Sequence, residues 1–135
     1  MTSKSSFAHL LACLALAMPL GAAANPSLDT YRAQAKQEDA AFKDFSVAAG
    51  QKLYSTQGLA ELSCASCHTD SPKLEGKHAK TNKAIAPMAP SVNPKRFSDA
   101  ANVEKWFKRN CNDVLHRACS AQEKGDFMSY VLSVK

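Results

Sequence analysis

The sequence predicts an all-α domain, and three observations support this fold class. Apolar residues recur at helical spacing, as Phe127, Tyr130 and Val134 do near the end of the chain. Residues suited to cap a helix stand before such runs, as Ser120 does. No segment shows a comparably strong alternation of apolar and polar residues, which a half-buried strand would require.

The first 24 residues have the pattern of an export signal. Lys4 precedes an apolar run over residues 7–20, and residues 22–24 are alanines of the kind that signal peptidase accepts. Since the run is shorter than the roughly 20 residues that a membrane-spanning helix needs, we predict cleavage after Ala24 and no membrane span in the mature chain. An uncleaved anchor and a lipoprotein modified at Cys13 are the alternatives.

Charge and length limit the classes of function. Removing 24 of the 135 residues leaves 111, enough for one small domain, and lowers the formal charge from +5 to +4 because Lys4 is lost. The basic residues form no dense block interleaved with aromatic residues, so we expect no nucleic-acid binding. A surface patch for an acidic partner remains open.

Two helices are predicted in the first part of the mature chain. The first spans residues 27–43 with Pro26 at its entrance, and residues 25–44 are interpreted as an N-terminal helical extension of a domain over residues 45–135. The second spans residues 47–54, with Ser46 as its cap. Gly50 costs this helix about 1 kcal/mol relative to alanine, so we predict close packing against another helix.

A long loop and two further helices follow. Residues 71–98 contain four prolines and are predicted to be a loop, which in so small a domain is usually functional or wrapped around a ligand. Asp99 or Ser98 can cap a helix that runs to about Asn110. Residues 120–123 form a capping box for the last helix.

The motif Cys64-Ala65-Ser66-Cys67-His68 predicts the cofactor. Two thiols at this spacing can add to the two vinyl groups of one haem, and the adjacent imidazole is then carried onto the iron. We therefore predict a cytochrome c domain with one covalent haem c on Cys64 and Cys67, and His68 as the proximal ligand. A thioredoxin-like pair lacks its βαβ context, and a simple disulfide would make His68 accidental. A zinc site would need two more ligands, for which Cys111 and Cys119 are poorly spaced.

The sixth iron ligand decides what the haem does, and residue spacing alone leaves it open. A strong ligand makes an electron carrier, whereas a weak one leaves the iron accessible to small molecules. The candidates are Met88, Met128, His78, His116 and Asn110.

A resemblance to a known family narrows this choice. Residues 84–91 (AIAPMAPS), 96–97 (RF), 103–106 (VEKW) and 109–112 (RNCN), together with Cys119, resemble the sphaeroides haem protein (SHP) family of oxygen-binding cytochromes c. The likeness runs from about Phe45 to Val131. It implies that Asn110 is the distal ligand of the oxidised iron and that Cys111 and Cys119 form a disulfide. It also implies a diatomic gas as ligand and another cytochrome, multihaem or membrane-bound, as electron donor.

The chain departs from this family pattern at Met88, where an aliphatic residue is expected. A loop methionine is the axial ligand of ordinary electron-transfer cytochromes, so a His68/Met88 carrier without gas binding is the alternative function. Turnover of oxygen or nitric oxide is a third hypothesis and leaves enzymatic activity open. Trp106 and Arg96 are tentative haem contacts, the latter through a propionate. Export predicts the periplasm as the location.

Overall fold

The computed structural model describes residues 25–59 and 61–135. The predicted signal peptide and the alternatives at Cys13 lie outside the described residues. The elements in chain order are α1 Pro26–Glu38, α2 Val47–Ser55, α3 Cys64–His68, β1 Gly76–Lys77, β2 Ala84–Ile85, α4 Ala100–Leu115 and α5 Ala121–Ser133. The all-α prediction is confirmed. The antiparallel pair β1–β2 adds only a hairpin of two residues per strand within the predicted loop.

Helix α1 is shorter than predicted. Asn25 caps its start by accepting hydrogen bonds from the backbone of Ser27 and Leu28, and the helix ends at Glu38 instead of residue 43. The Asp39 carboxylate accepts a hydrogen bond from Ala41 N at 2.8 Å. Such a local side-chain bond competes with helical pairing and explains the early end.

The centre of the fold is the crossing of α2 and α5, on which α1 also packs. A Cβ atom on Gly50 would collide with the backbone carbonyl of Asp126, which confirms the predicted close approach. The Tyr54 ring lies 6.0 Å from Phe127 and 5.5 Å from Tyr130 between ring centroids. The crossing therefore buries aromatic residues around a glycine contact.

Helix α4 begins where predicted, with Asp99 accepting a hydrogen bond from Asn102 N, but it continues five residues past Asn110. It ends at His116, which adopts a left-handed conformation with φ 55°. Phe107 joins the core through edge contacts with Tyr31 and Phe127. Trp106, one of the tentative haem contacts, is 42% exposed and lies beside the cations of Lys105 and Arg109.

None of the helices in the described ranges combines the length and the apolar character that crossing a membrane requires.

Candidate haem-binding site

Helix α3 presents the two cysteines of the C-x-x-C-H motif. Ser63 and Ser66 form a capping box, in which each hydroxyl accepts a hydrogen bond from the other residue's backbone N–H. This capping starts a helix of only five residues, and it places Cys64 and Cys67 three positions apart on one face. Both thiols are half-buried and neither belongs to a disulfide.

Neighbouring segments hold the end of α3 in place. The Tyr54 hydroxyl donates to the carbonyls of His68 at 3.1 Å and Thr69 at 2.7 Å. A Cβ on Gly76 would collide with the Cys67 carbonyl, so only glycine permits this approach of β1. Thr69 has φ 62°, a conformation that costs a β-branched residue on the order of 1–3 kcal/mol. The surrounding contacts must stabilise it.

Burial favours the neutral forms of two side chains of the motif, Cys64 and His68. Burial, with a smaller contribution from the nearby Arg96 guanidinium, lowers the pKa of His68 to about 4. Burial also raises the pKa of the Cys64 thiol to about 11. A neutral imidazole is the form that ligates iron. Two unpaired thiols on one helical face beside a neutral histidine fit a covalent haem.

Arg96 has a role that the sequence did not suggest. Its guanidinium donates to the backbone carbonyls of Ala86 at 2.6 Å and Pro87 at 3.2 Å, which ties the proline-containing loop together close to His68. The predicted contact between Arg96 and a haem propionate stays a prediction. The predicted contact between Trp106 and the haem also stays a prediction.

Asn110, the distal ligand that the resemblance implies, is half-buried on α4. The next residue, Cys111, lies within bonding distance of Cys119, with 5.7 Å between the Cα atoms. Helix α3 packs on α2 and β1.

The other candidate ligands are Met88, Met128, His78 and His116, and they occupy different positions in the fold. Met88 is 7% exposed within the hydrophobic core cluster, and its N–H donates to Pro72 O at 2.8 Å. Met128 is fully buried on α5. His78 Nδ1 accepts backbone hydrogen bonds from the turn that follows it, and His116 is exposed at the end of α4.

Sequence reasoning missed Tyr54 and Gly76 as supports of α3. The sequence does not indicate that Tyr54 supports α3, because an aromatic residue at helical spacing indicates only core packing. A lone glycine in a loop, such as Gly76, indicates that another backbone segment lies close to it. It does not indicate which segment that is.

Comparison with known proteins identifies relatives of this chain. Residues 40–131 match the family described as a domain of unknown function (DUF1924). Cytochrome c'' of Methylophilus methylotrophus is 45% identical over 82 residues, which are 61% of this chain and 57% of that protein. The cytochrome c-type protein SHP of Cereibacter sphaeroides is 46% identical over 69 residues, 51% of this chain and 53% of that protein. The aligned stretch thus spans a little over half the length of these curated relatives.

Solved structures agree over a larger part of the chain. The crystal structure of oxidised cytochrome c'' superposes with a TM-score of 0.73 at 35% identity, covering 81% of this chain and 92% of that one. Oxidised SHP, described as an oxygen-binding cytochrome c, superposes with a TM-score of 0.69 at 34% identity, covering 78% and 91%. A solution structure of cytochrome c'', which addresses haem-ligand detachment in that protein, gives a TM-score of 0.70 at 36% identity, covering 79% and 90%. The chain therefore belongs to the DUF1924 family and, with cytochrome c'' and SHP, to the monohaem c-type cytochromes that hold haem covalently.

Proposed function

We propose that this protein is a periplasmic cytochrome in which Asn110 leaves the distal position when the haem is reduced. A diatomic gas, O2, NO or CO, then binds in its place. Residues 1–24 are the signal peptide, residues 25–44 the N-terminal extension and residues 45–135 the cytochrome c domain. Cys64 and Cys67 carry the haem and His68 is its proximal ligand.

The likeness of residues 109–112 (RNCN) to the SHP family carries this proposal. Asn110 is half-buried on α4, and His68 ends α3. A haem held between the two helices would take His68 on one face and Asn110 on the other. Met88, in contrast, is packed in the core cluster as a soft apolar side chain would be.

The chemistry of an amide explains why this ligand would be released. The haem supplies an iron that changes by one electron and has a face open to a small ligand. The Asn110 carboxamide oxygen is a hard, neutral and weak donor, which suits ferric iron better than the softer ferrous iron. After release, its N–H groups can donate a hydrogen bond to a gas bound nearby.

The cysteine pair beside Asn110 limits how far this residue can move. A Cys111–Cys119 disulfide closes a short loop at the end of α4, and its effect on chain entropy stabilises the fold by about 2.5 kcal/mol. The bond stops α4 from unwinding beyond Asn110. The Asn110 side chain can then leave the iron by a small displacement and return on oxidation.

The relatives support the same reading. SHP is described as an oxygen-binding cytochrome c, and haem-ligand detachment is described for cytochrome c''. We propose that a second cytochrome, multihaem or membrane-bound, supplies the electron, and that neither nucleic acid nor membrane insertion is involved.

Two variants and their optical spectra test the proposal. The ferric wild type should lack the weak far-red band of a methionine–iron bond, and the ferrous protein should take up CO quickly and completely. Asn110→Leu, which removes the amide but keeps the branching at Cγ, should change the ferric spectrum, whereas Met88→Leu should leave it unchanged. A far-red band that disappears in Met88→Leu would instead establish a His68/Met88 electron carrier.

A further inference from the structure

Positive charge is concentrated in one segment of the chain, residues 76–98, which we call the cationic loop. It holds five basic residues and no acidic one. The 17 Lys and Arg residues comprise these five, Lys4 ahead of the described part, and eleven elsewhere in the chain. The twelve acidic residues all lie outside the loop and balance the charge of those eleven. The net positive charge of residues 25–135 therefore resides in this loop. The five residues are Lys77, Lys80, Lys83, Lys95 and Arg96.

Three of these cations stand together at the start of the loop. Lys77, Lys80 and Lys83 are all exposed, and no ion pair within residues 25–59 and 61–135 involves any of them. Other charged side chains of the fold do find partners, such as Arg117 with Glu123 at 2.6 Å. The three ammonium groups remain available to an external anionic surface.

An ordered hairpin presents these lysines. Strands β1 and β2 pair in antiparallel register, and His78 N donates to Lys83 O at 2.9 Å. The His78 ring accepts hydrogen bonds from Lys80 N and Thr81 N, which closes the turn from inside. Because the backbone is already ordered, a partner that binds here loses little chain entropy in fixing it.

The same hairpin lies directly against the haem-attachment helix. Ala79 N donates to Cys67 Sγ at 3.4 Å, and Gly76 approaches the Cys67 carbonyl too closely for any Cβ. In the proposed attachment, this sulfur atom is bonded to the haem. A protein seated on the hairpin would therefore stand next to the edge of the haem.

We propose that the hairpin, with Lys77, Lys80 and Lys83, is the docking surface for an acidic electron-donor protein. This inference rests on the proposed function, in which the haem receives an electron. One electron leaves the reduced donor, which becomes oxidised, and the ferric iron becomes ferrous. Docking itself makes and breaks no covalent bond.

An anionic membrane is the less suitable partner for this surface. Residues 77–83 (KHAKTNK) contain no large apolar side chain that could enter the lipid interface. Charge complementarity with a protein carboxylate surface needs no such side chain.

The test compares two charge-reversal variants of the holoprotein. Lys77→Glu/Lys80→Glu/Lys83→Glu alters the hairpin, and Lys36→Glu/Lys43→Glu/Lys52→Glu makes the same change of charge at exposed lysines of α1, α2 and the segment between them. The probe is a reduced acidic flavodoxin, and stopped-flow measures the second-order rate constant for reduction of the ferric haem. Neutral lumiflavin semiquinone serves as a reductant that charge does not steer.

At low ionic strength we expect the hairpin variant to react with flavodoxin about tenfold more slowly than the wild type, and the control variant to lose much less. The difference should disappear at high salt, and lumiflavin should reduce all three proteins equally. Independently of electron transfer, carbodiimide cross-linking to oxidised flavodoxin should join its carboxylates to Lys77, Lys80 or Lys83.

Equal losses in both variants would overturn the proposal, because net charge alone would then account for the rate. An unchanged rate in the hairpin variant would do the same. So would hairpin-dependent binding to phosphatidylglycerol vesicles without any effect on flavodoxin. These rates are measured whether or not Asn110 leaves the iron, so failure of the docking surface is distinguishable from failure of the proposed gas-binding function.

Discussion

Helices α3 and α4 carry the two proposed axial ligands, and they are held in opposite ways. Helix α3 has five residues and is fixed along its length by its capping box, the Tyr54 hydroxyl and the backbone of Gly76. Helix α4 has 16 residues, most of them exposed. The contrast suggests a rigid proximal side and a distal side that can shift.

A few separate contacts hold α4. The Glu104 carboxylate accepts hydrogen bonds from the Tyr31 hydroxyl at 2.8 Å and from Lys124 Nζ at 2.7 Å, which links α4 to α1 and α5. We call this the Glu104 network. Phe107 adds aromatic contacts, and the proposed Cys111–Cys119 disulfide would hold the end of the helix. Each contact can be removed by itself, so the comparison with α3 is open to experiment.

The largest expected effect separates the two cysteine pairs. Cys64→Ala/Cys67→Ala should abolish covalent haem, because no thiol remains to add to the vinyl groups. Cys111→Ala/Cys119→Ala, the matched control, should keep covalent haem while losing about 2.5 kcal/mol of stability. Intact mass and a pyridine haemochrome spectrum decide the outcome. Covalent haem in the first variant would refute the assignment of α3.

The next effect tests the rigidity of α3. Gly76→Ala places a methyl group against the Cys67 carbonyl and should destabilise the fold by about 2–3 kcal/mol, because a well-packed backbone contact must open. The adjacent, exposed Glu75→Ala should change stability by less than about 0.5 kcal/mol. Denaturant unfolding of both variants measures this difference. Equal stabilities would mean that β1 does not brace the haem-attachment helix.

A smaller effect is expected from the Glu104 network. Glu104→Gln removes the charge but keeps a side chain of the same length, and should cost about 1 kcal/mol because the Glu104 side chain is 51% exposed and its ion pair is partly screened. A looser α4 should also let CO bind the ferrous protein faster, as flash photolysis would detect. Asp113→Asn, which breaks the exposed pair with Arg109 at 3.9 Å, should alter neither quantity. Equal changes of stability and CO-binding rate in both variants would show that Glu104 has no special role in holding α4.

The smallest effect is the pH dependence of the same network. Burial raises the pKa of Glu104, but hydrogen bonds from Lys124 and Tyr31 outweigh it and leave the pKa below its usual value of 4.5. A carboxylate with a lowered folded-state pKa stabilises the fold above its unfolded pKa and loses that contribution as pH falls through the folded value. Wild type and Glu104→Gln should therefore converge in stability only once the pH has fallen below the lowered folded-state pKa of Glu104. A difference that persists there would assign the effect to packing.

The sequence predicted well those features that depend on local patterns. The Ser120 capping box, the close approach of another helix at Gly50 and the cysteine spacing of α3 were each predicted from a few neighbouring residues. These features make up the core and the proximal side of the candidate site. The distal assignment of Asn110 came instead from family resemblance, because an asparagine near a helix end has no distinctive pattern.

Features that depend on tertiary contacts escaped prediction. The carbonyl partners of Arg96 and the exposure of Trp106 are set by how distant segments meet. The end of α4 depends on the left-handed conformation of His116. Sequence alone does not predict this conformation for a residue other than glycine. The hairpin was predicted as plain loop because its strands have two residues each.

Crystal structures of the oxidised protein and of the reduced, gas-free protein would test the central claim most directly. We predict Asn110 Oδ1 bonded to the iron opposite His68 in the oxidised state, and no side chain bonded there after reduction. If Asn110 or Met88 remains bonded to the reduced iron, release of the distal ligand is refuted, and the protein is an electron carrier.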